Sequence, residues 1–201
     1  MRKNFYGGKL IAIDGPNGVG KTTIIDELRK ELESRSKDAY FTKEPTQGEL
    51  GCFVRAYAEK KDGISVACLV AADRYQHIKD EIVPHLERGE IVITDRYVLS
   101  SLMLQGMDGV SEEFILSINN EIIQPDLQIA VTADCDVIQT RLKERSYLTR
   151  FERGGKSDKE LEYMERGIQL LQEQEINVFR LVNDGSLRNS VDKAIEMILN
   201  V

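Results

Sequence analysis

Residues Gly15 to Thr22 read Gly-Pro-Asn-Gly-Val-Gly-Lys-Thr, and the run before them, Lys9 to Asp14, has the apolar character of a buried parallel strand. This segment constrains the fold more than any other, because a glycine-rich loop of this form needs a strand on one side and a helix on the other. Gly15, Gly18 and Gly20 permit the φ values and close backbone approach that let successive N–H groups wrap an anion. A helix starting near Lys21 adds its positive N-terminal dipole. In the pattern G-x-x-x-x-G-K-[ST], Lys21 reaches the β- and γ-phosphates of a nucleotide and the Thr22 hydroxyl ligates Mg²⁺. Pro16, Asn17, Val19 and Thr23 complete the stretch expected against ATP. A glycine turn without a ligand has no need for Lys-Thr after its last glycine.

Strand-like and helix-like segments alternate along the chain, which predicts βα units around a parallel sheet. Strands are expected at 9–14, 39–42, 91–94, 127–131 and 176–182. Helices are expected at 22–35, at 66–86 with a kink or break at Pro84, from Ser111 to a stop at Pro125, from a cap at Asp136 through Arg145, at 159–174 and at 191–199. The 201 residues, 41% hydrophobic, suffice for one well-buried α/β core, so a single domain over 1–201 is expected. The net charge of −7 argues against a nucleic-acid or anionic-membrane surface and leaves anion binding to a local basic pocket. Cys52, Cys68 and Cys135 form no C-x-x-C pair and accompany only His77 and His85, so zinc and disulfides are not expected. The cysteines read as small buried hydrophobes of a reducing cytosol. With no apolar run approaching a membrane span and no export signal at the N-terminus, a soluble cytoplasmic protein is expected.

Further clusters fall at strand ends, where an open α/β sheet places its ligand crevice. Asp95-Arg96-Tyr97 follows the third strand, offering a carboxylate for Mg²⁺ and a guanidinium for a second phosphate. Lys43-Glu44-Pro45 follows the second strand. Ala71-Ala72-Asp73-Arg74 lies in a helix where an arginine among alanines should point into a pocket.

The ordered series of phosphate loop, Lys-Glu-Pro, Ala-Ala-Asp-Arg, Asp-Arg-Tyr with Ser100-Ser101, Gln105-Gly106, Gln124-Pro125-Asp126 and Arg150-Phe151-Glu152 resembles the thymidylate kinase family over nearly the whole chain. The resemblance implies a P-loop NTPase fold, a three-layer α/β/α arrangement with a five-stranded parallel sheet and a short basic lid at about 145–158. It also implies a homodimer and phosphoryl transfer from ATP, with Mg²⁺, to dTMP. Asp14, Glu44, Arg74 and Arg96 would face the monophosphate, beside Pro45, with Ser101 and Gln105 near its base. Arg141, Arg145, Arg150 and Arg153 resemble the lid over ATP. No arginine stands among Pro16, Asn17, Gly18 and Val19, so the lid should supply the transition-state charge, with Arg150 expected in that role from the Arg-Phe-Glu match.

Several positions depart from the family pattern. Val70 stands where an aromatic would stack on thymine, and Leu104 where one would lie against the deoxyribose. Lys43 replaces arginine before Glu-Pro, and Thr46 replaces glycine after it. A kinase of dUMP or another pyrimidine monophosphate shares these features, and a nucleotide-binding switch without catalysis is the reading from a different class. Against a GTP-reading switch, no Asn-Lys-x-Asp follows any strand. Two acceptor-side arginines and a basic lid are features a switch does not need.

Overall fold

A computed structural model describes residues 1–146, 148–153 and 157–201. Of the lid expected over 145–158, residues 147 and 154–156 lie outside the described residues. Five strands form one sheet: β1 (Lys9–Asp14), β2 (Ala39–Lys43), β3 (Ile91–Asp95), β4 (Leu127–Thr132) and β5 (Val178–Val182). The order is β2-β3-β1-β4-β5, with every pairing parallel. Successive side chains of β1 serve opposite faces, as the strand's period of two requires. Leu10 and Ala12 join one buried cluster, Ile11 and Ile13 the other. The first cluster is closed by helices that include α5 (Val98–Met107) and α8 (Ser157–Glu173). The second is closed by α1 (Lys21–Ser34), α7 (Cys135–Lys143) and α9 (Leu187–Leu199). This is the expected α/β/α sandwich.

From β1 the chain crosses β3 to reach β2, whereas from β3 it crosses β1 to reach β4. The crossovers diverge between β1 and β3, so the loops after these two strands border one crevice. They are the phosphate loop and Asp95-Arg96-Tyr97.

The remaining helices are α2 (Glu49–Ala58), α3 (Ile64–His77), α4 (Val83–Glu87) and α6 (Glu112–Ile118). The helix expected over 66–86 is interrupted by a π-helical turn at Ile78–Ile82 just before Pro84. Proline lacks the N–H that would pair with the carbonyl four residues earlier, and a widened turn accommodates that loss. Asp134, not Asp136, takes the N-cap position of α7, and Asp136 lies in its first turn. The cysteines also depart from expectation: all three are free thiols, Cys52 and Cys68 exposed and Cys135 half-buried. On α2 and α3 the inward phase belongs to Gly51 and Val54, and to Ala67 and Ala71, which turns both cysteines outward.

Candidate active site

The backbone of the loop after β1 shows why it needs glycine. A Cβ on Gly15 would collide with the Val131 carbonyl oxygen, and Gly20, at φ +98°, would place one 2.6 Å from Asn183 Nδ2. Behind the loop, Asn183 Nδ2 donates to the Val19 carbonyl at 2.8 Å, and Arg141 donates to the Val19 and Asn183 carbonyls, each at 2.9 Å. Val19 itself is core. Lys21 is buried, and its Nζ donates to the carbonyls of Gly15 and Pro16 at 2.8 and 3.0 Å. Burial, and after it the nearby Arg96 charge, pushes the Lys21 ammonium down to about 7. An anion at the loop would reverse that shift.

Two cavities meet at the crevice. The smaller, about 130 Å³, lies over Gly18, Gly20, Lys21, Thr22 and Thr23 and is bounded by Arg145. The larger, about 460 Å³, is lined by Glu44, Pro45, Arg74, Ser101 and Gln105, with an apolar side that includes Val70 and Leu104. Asn17, Asp95 and Arg96 line both, so the two spaces communicate across these three residues. A third hollow, about 330 Å³, continues from Gly18 and Gly20 past Arg141 and Arg145 to Asn183 and Leu187.

Arg74 is 1% exposed. Its guanidinium donates to Glu44 at 2.8 Å, Asn119 at 2.6 Å, the Tyr97 carbonyl at 3.1 Å and Ser101 Oγ at 3.0 Å. These bonds occupy Nε, both protons of Nη2 and one of Nη1, leaving a single N–H for the cavity. His77 Nδ1 holds the other oxygen of Glu44 at 3.1 Å. Gln105 Oε1 is buried without a hydrogen-bond partner among the described residues, and Gln105 lines the larger cavity. Asp95 Oδ1 is likewise buried and unpartnered among the described residues, and Asp95 and Thr22 line the same cavity. An aspartate and a threonine lining one small space are hard oxygen donors of the kind that suit Mg²⁺.

Two expected positions fall elsewhere. Asp14 does not line the larger cavity: it is fully buried and accepts from the Tyr97 and Ser100 N–H groups at 3.0 and 2.9 Å and from Gln128 Nε2 at 3.0 Å. It thereby fixes the turn that presents Arg96 and the start of α5. Arg150 does not reach the phosphate loop either. Its guanidinium forms two 2.8 Å bonds to Asp108, lies 4.1 Å from the Phe151 ring centre, and borders a separate hollow with Lys159, Glu162 and Tyr163. A bidentate carboxylate neutralises it there. Arg145, paired with Glu152, is the lid arginine beside the loop.

One residue at the site had no linear signal: Glu160 on α8 accepts the Asn17 N–H at 2.7 Å. Phe151, quoted above only as part of the Arg-Phe-Glu match, lines the larger cavity. Asn183 could have been found, since Asn183-Asp184-Gly185 ends the last strand on the ligand side of the sheet.

This combination of parallel sheet, phosphate loop and adjoining second cavity defines a P-loop protein built to hold a nucleotide beside a second anionic ligand. The thymidylate kinase family model matches residues 13–194, and the chain belongs to that family. The "Thymidylate kinase" of Caldicellulosiruptor saccharolyticus is 40% identical over 144 residues, 68% of this chain and 70% of the relative. The proteins named "Probable thymidylate kinase" from Pyrobaculum calidifontis and Pyrobaculum aerophilum are 42% and 38% identical, each over 71% of this chain and 73% of the relative.

Proposed function

We propose that this chain transfers the γ-phosphoryl group of ATP to dTMP, giving dTDP and ADP. Family membership makes it an ATP-dependent nucleoside monophosphate kinase. The observation that carries the acceptor assignment is the pair of cavities joined at Asn17, Asp95 and Arg96, which allows a donor and an acceptor phosphate to meet in line. The loop N–H groups and Lys21 hold the donor phosphates. Arg141, fixed by two carbonyls, offers a flat platform for the adenine in the third hollow. Arg96 binds the acceptor phosphate, and Arg145 answers the charge that spreads over the transferring group. Thr22 and Asp95 would hold Mg²⁺, which neutralises phosphate charge when bound. At the far end of the larger cavity, the last Arg74 N–H suits a pyrimidine carbonyl and Gln105 Oε1 suits a ring N–H. Phe151, Val70 and Leu104 supply the apolar sides for base and sugar.

The reading extends to a cytoplasmic homodimer. Among the described residues no helix is long and apolar enough to cross a membrane. ADP release with ATP, Mg²⁺ and a panel of dTMP, dUMP, UMP, dCMP and dGMP tests the assignment. The highest kcat/KM is expected for dTMP. Preference for dGMP, or no turnover of any pyrimidine, would overturn it, and preference for dUMP would move the assignment within the family's chemistry. Sedimentation of the purified chain tests the dimer.

A further inference from the structure

The contact between α8 and the phosphate loop links the two substrate cavities through one side chain. Asn17 is the second residue after Gly15 in the loop, and both of its polar ends are taken. Its backbone N–H donates to Glu160 Oε2 at 2.7 Å, with its Nδ2 3.4 Å from each Glu160 oxygen. Its Oδ1 accepts from Arg96 Nη2 at 2.7 Å, while Arg96 Nη1 donates to Ser100 Oγ at 3.0 Å. Glu160 itself is 2% exposed.

The donor and acceptor inventory gives this chain of contacts a direction. An ionised carboxylate only accepts and a guanidinium only donates, so a carboxamide between them has one satisfactory orientation, nitrogen toward Glu160 and oxygen toward Arg96. Arg96 needs such a hold. Its backbone sits at φ +73°, a left-handed conformation that a residue with a side chain adopts only under constraint. Its guanidinium lines both cavities, the position from which it would reach the phosphate that accepts and the phosphate that transfers.

We propose that Glu160 is a positioning residue for phosphoryl transfer, fixing the Asn17 carboxamide so that Arg96 is held between the donor and acceptor cavities. The inference rests on the kinase reading given above. Burial raises the carboxyl of Glu160, and the Asn17 backbone hydrogen bond and then the Arg96 charge lower it. A costly buried carboxylate with these partners is what a positioning role requires and what packing alone does not. Glu160 is the fourth residue of α8, in its first turn.

The test compares the wild type with Glu160→Gln, Asn17→Ala and the double variant in the full-length protein. The acceptor is whichever monophosphate the wild type turns over fastest, so failure of dTMP would overturn the proposed function without touching this comparison. Glu160→Gln keeps the size and an acceptor oxygen but lets the Asn17 amide turn over. It should lower kcat roughly ten- to a hundredfold, the cost expected of a small misplacement of a reacting group. KM for ATP should stay within about twofold, because the other loop N–H groups are untouched. The double variant should lose no more than Asn17→Ala alone, since both act through one contact. Wild-type kcat in Glu160→Gln, or losses that multiply in the double variant, would overturn the proposal. An amide NMR spectrum supplies a reading independent of turnover. The Asn17 backbone proton should stand downfield in the wild type and move upfield in Glu160→Gln, and an unmoved signal would overturn the contact itself.

Discussion

Arginine serves both the acceptor wall and the lid of this molecule, but the two regions hold it differently. Arg74 is 1% exposed and committed to four partners on three segments of the chain. The lid arginines keep side-chain exposures of 46% for Arg145 and 57% for Arg153, and each forms an ion pair with a single carboxylate, Glu152 or Glu59. Breaking a buried pair leaves an uncompensated charge, whereas an exposed pair is worth little and exchanges readily. The wall around Arg74 is therefore built in advance, whereas Arg153 is held by a contact weak enough to exchange.

The largest effect expected from this difference is on stability at Arg74. Arg74→Met leaves Glu44 buried with His77 as its remaining ionisable partner, and breaking a buried pair costs about 3–5 kcal/mol. Arg153→Met, by contrast, should change stability by less than about 1 kcal/mol, because both it and its partner Glu59 keep contact with water. Urea unfolding of the two variants checks the contrast, and equal losses would break it.

Lys21 is the intermediate case, buried like Arg74 but answered by carbonyls instead of a carboxylate hydrogen bond. Lys21→Met should lower kcat by roughly 10²–10³, the cost of removing one preorganised donor to developing charge. Its pH signature has a definite sign. Burial sets the folded ammonium at about 7 against 10.5, so between these values the unfolded chain holds a proton that the folded chain has released. Stability from this group therefore rises with pH from about 7 upward, and the destabilisation is fully present below about 7. Urea midpoints at pH 7 and 9 should show a rise in the wild type that Lys21→Met lacks.

Within the lid the expectation separates two arginines that look alike in sequence. Arg145→Ala should reduce kcat about 10²-fold, since it borders the phosphate-loop cavity. Arg150→Ala should reduce it less than about tenfold, its charge being matched by Asp108. Pre-steady-state phosphoryl transfer in both variants checks the order, and a larger loss for Arg150→Ala would restore it to the transferring phosphate.

This reversal marks the boundary of what the linear pattern carries. The sheet was legible because each strand is a short apolar run, and the phosphate loop because its glycines answer to local geometry. Asp95 and Arg96 were legible because the loops after β1 and β3 must share a crevice once the strand order reverses there. The helices α2 and α5 were not anticipated: α2 is short, and α5 is buried along almost its whole length and carries no polar face to set a period. Asp14 and Arg150 were misplaced because their partners, the Tyr97 and Ser100 N–H groups and Asp108, come from distant segments that only the tertiary fold brings near. Glu160 had no signal at all, since an acidic residue in the first turn of a polar helix is ordinary until the phosphate loop lies against it.

The smallest expected effect lies on the apolar side of the acceptor wall, where Val70 borders the 460 Å³ cavity that Arg74 and Gln105 close. A valine there offers no π-face, so a pyrimidine bound as proposed would be oriented by the preformed polar wall and its ring held by dispersion contacts. Val70→Phe would add a stacking surface, a contact worth roughly 1–3 kcal/mol per base where measured. Part of that gain is offset because the new ring must lose rotamer freedom. The expected net result is a fall in KM for dTMP of about threefold to tenfold, with kcat unchanged, because stacking acts equally on ground and transition states. Discrimination of dTMP from dUMP should stay modest, as one methyl group in an apolar pocket is worth about 1–3 kcal/mol. Steady-state constants for dTMP and dUMP in both proteins make the measurement. A rise in KM with Val70→Phe would show that the ring fills the space the base itself needs, and that the apolar side is as fully committed as the polar one.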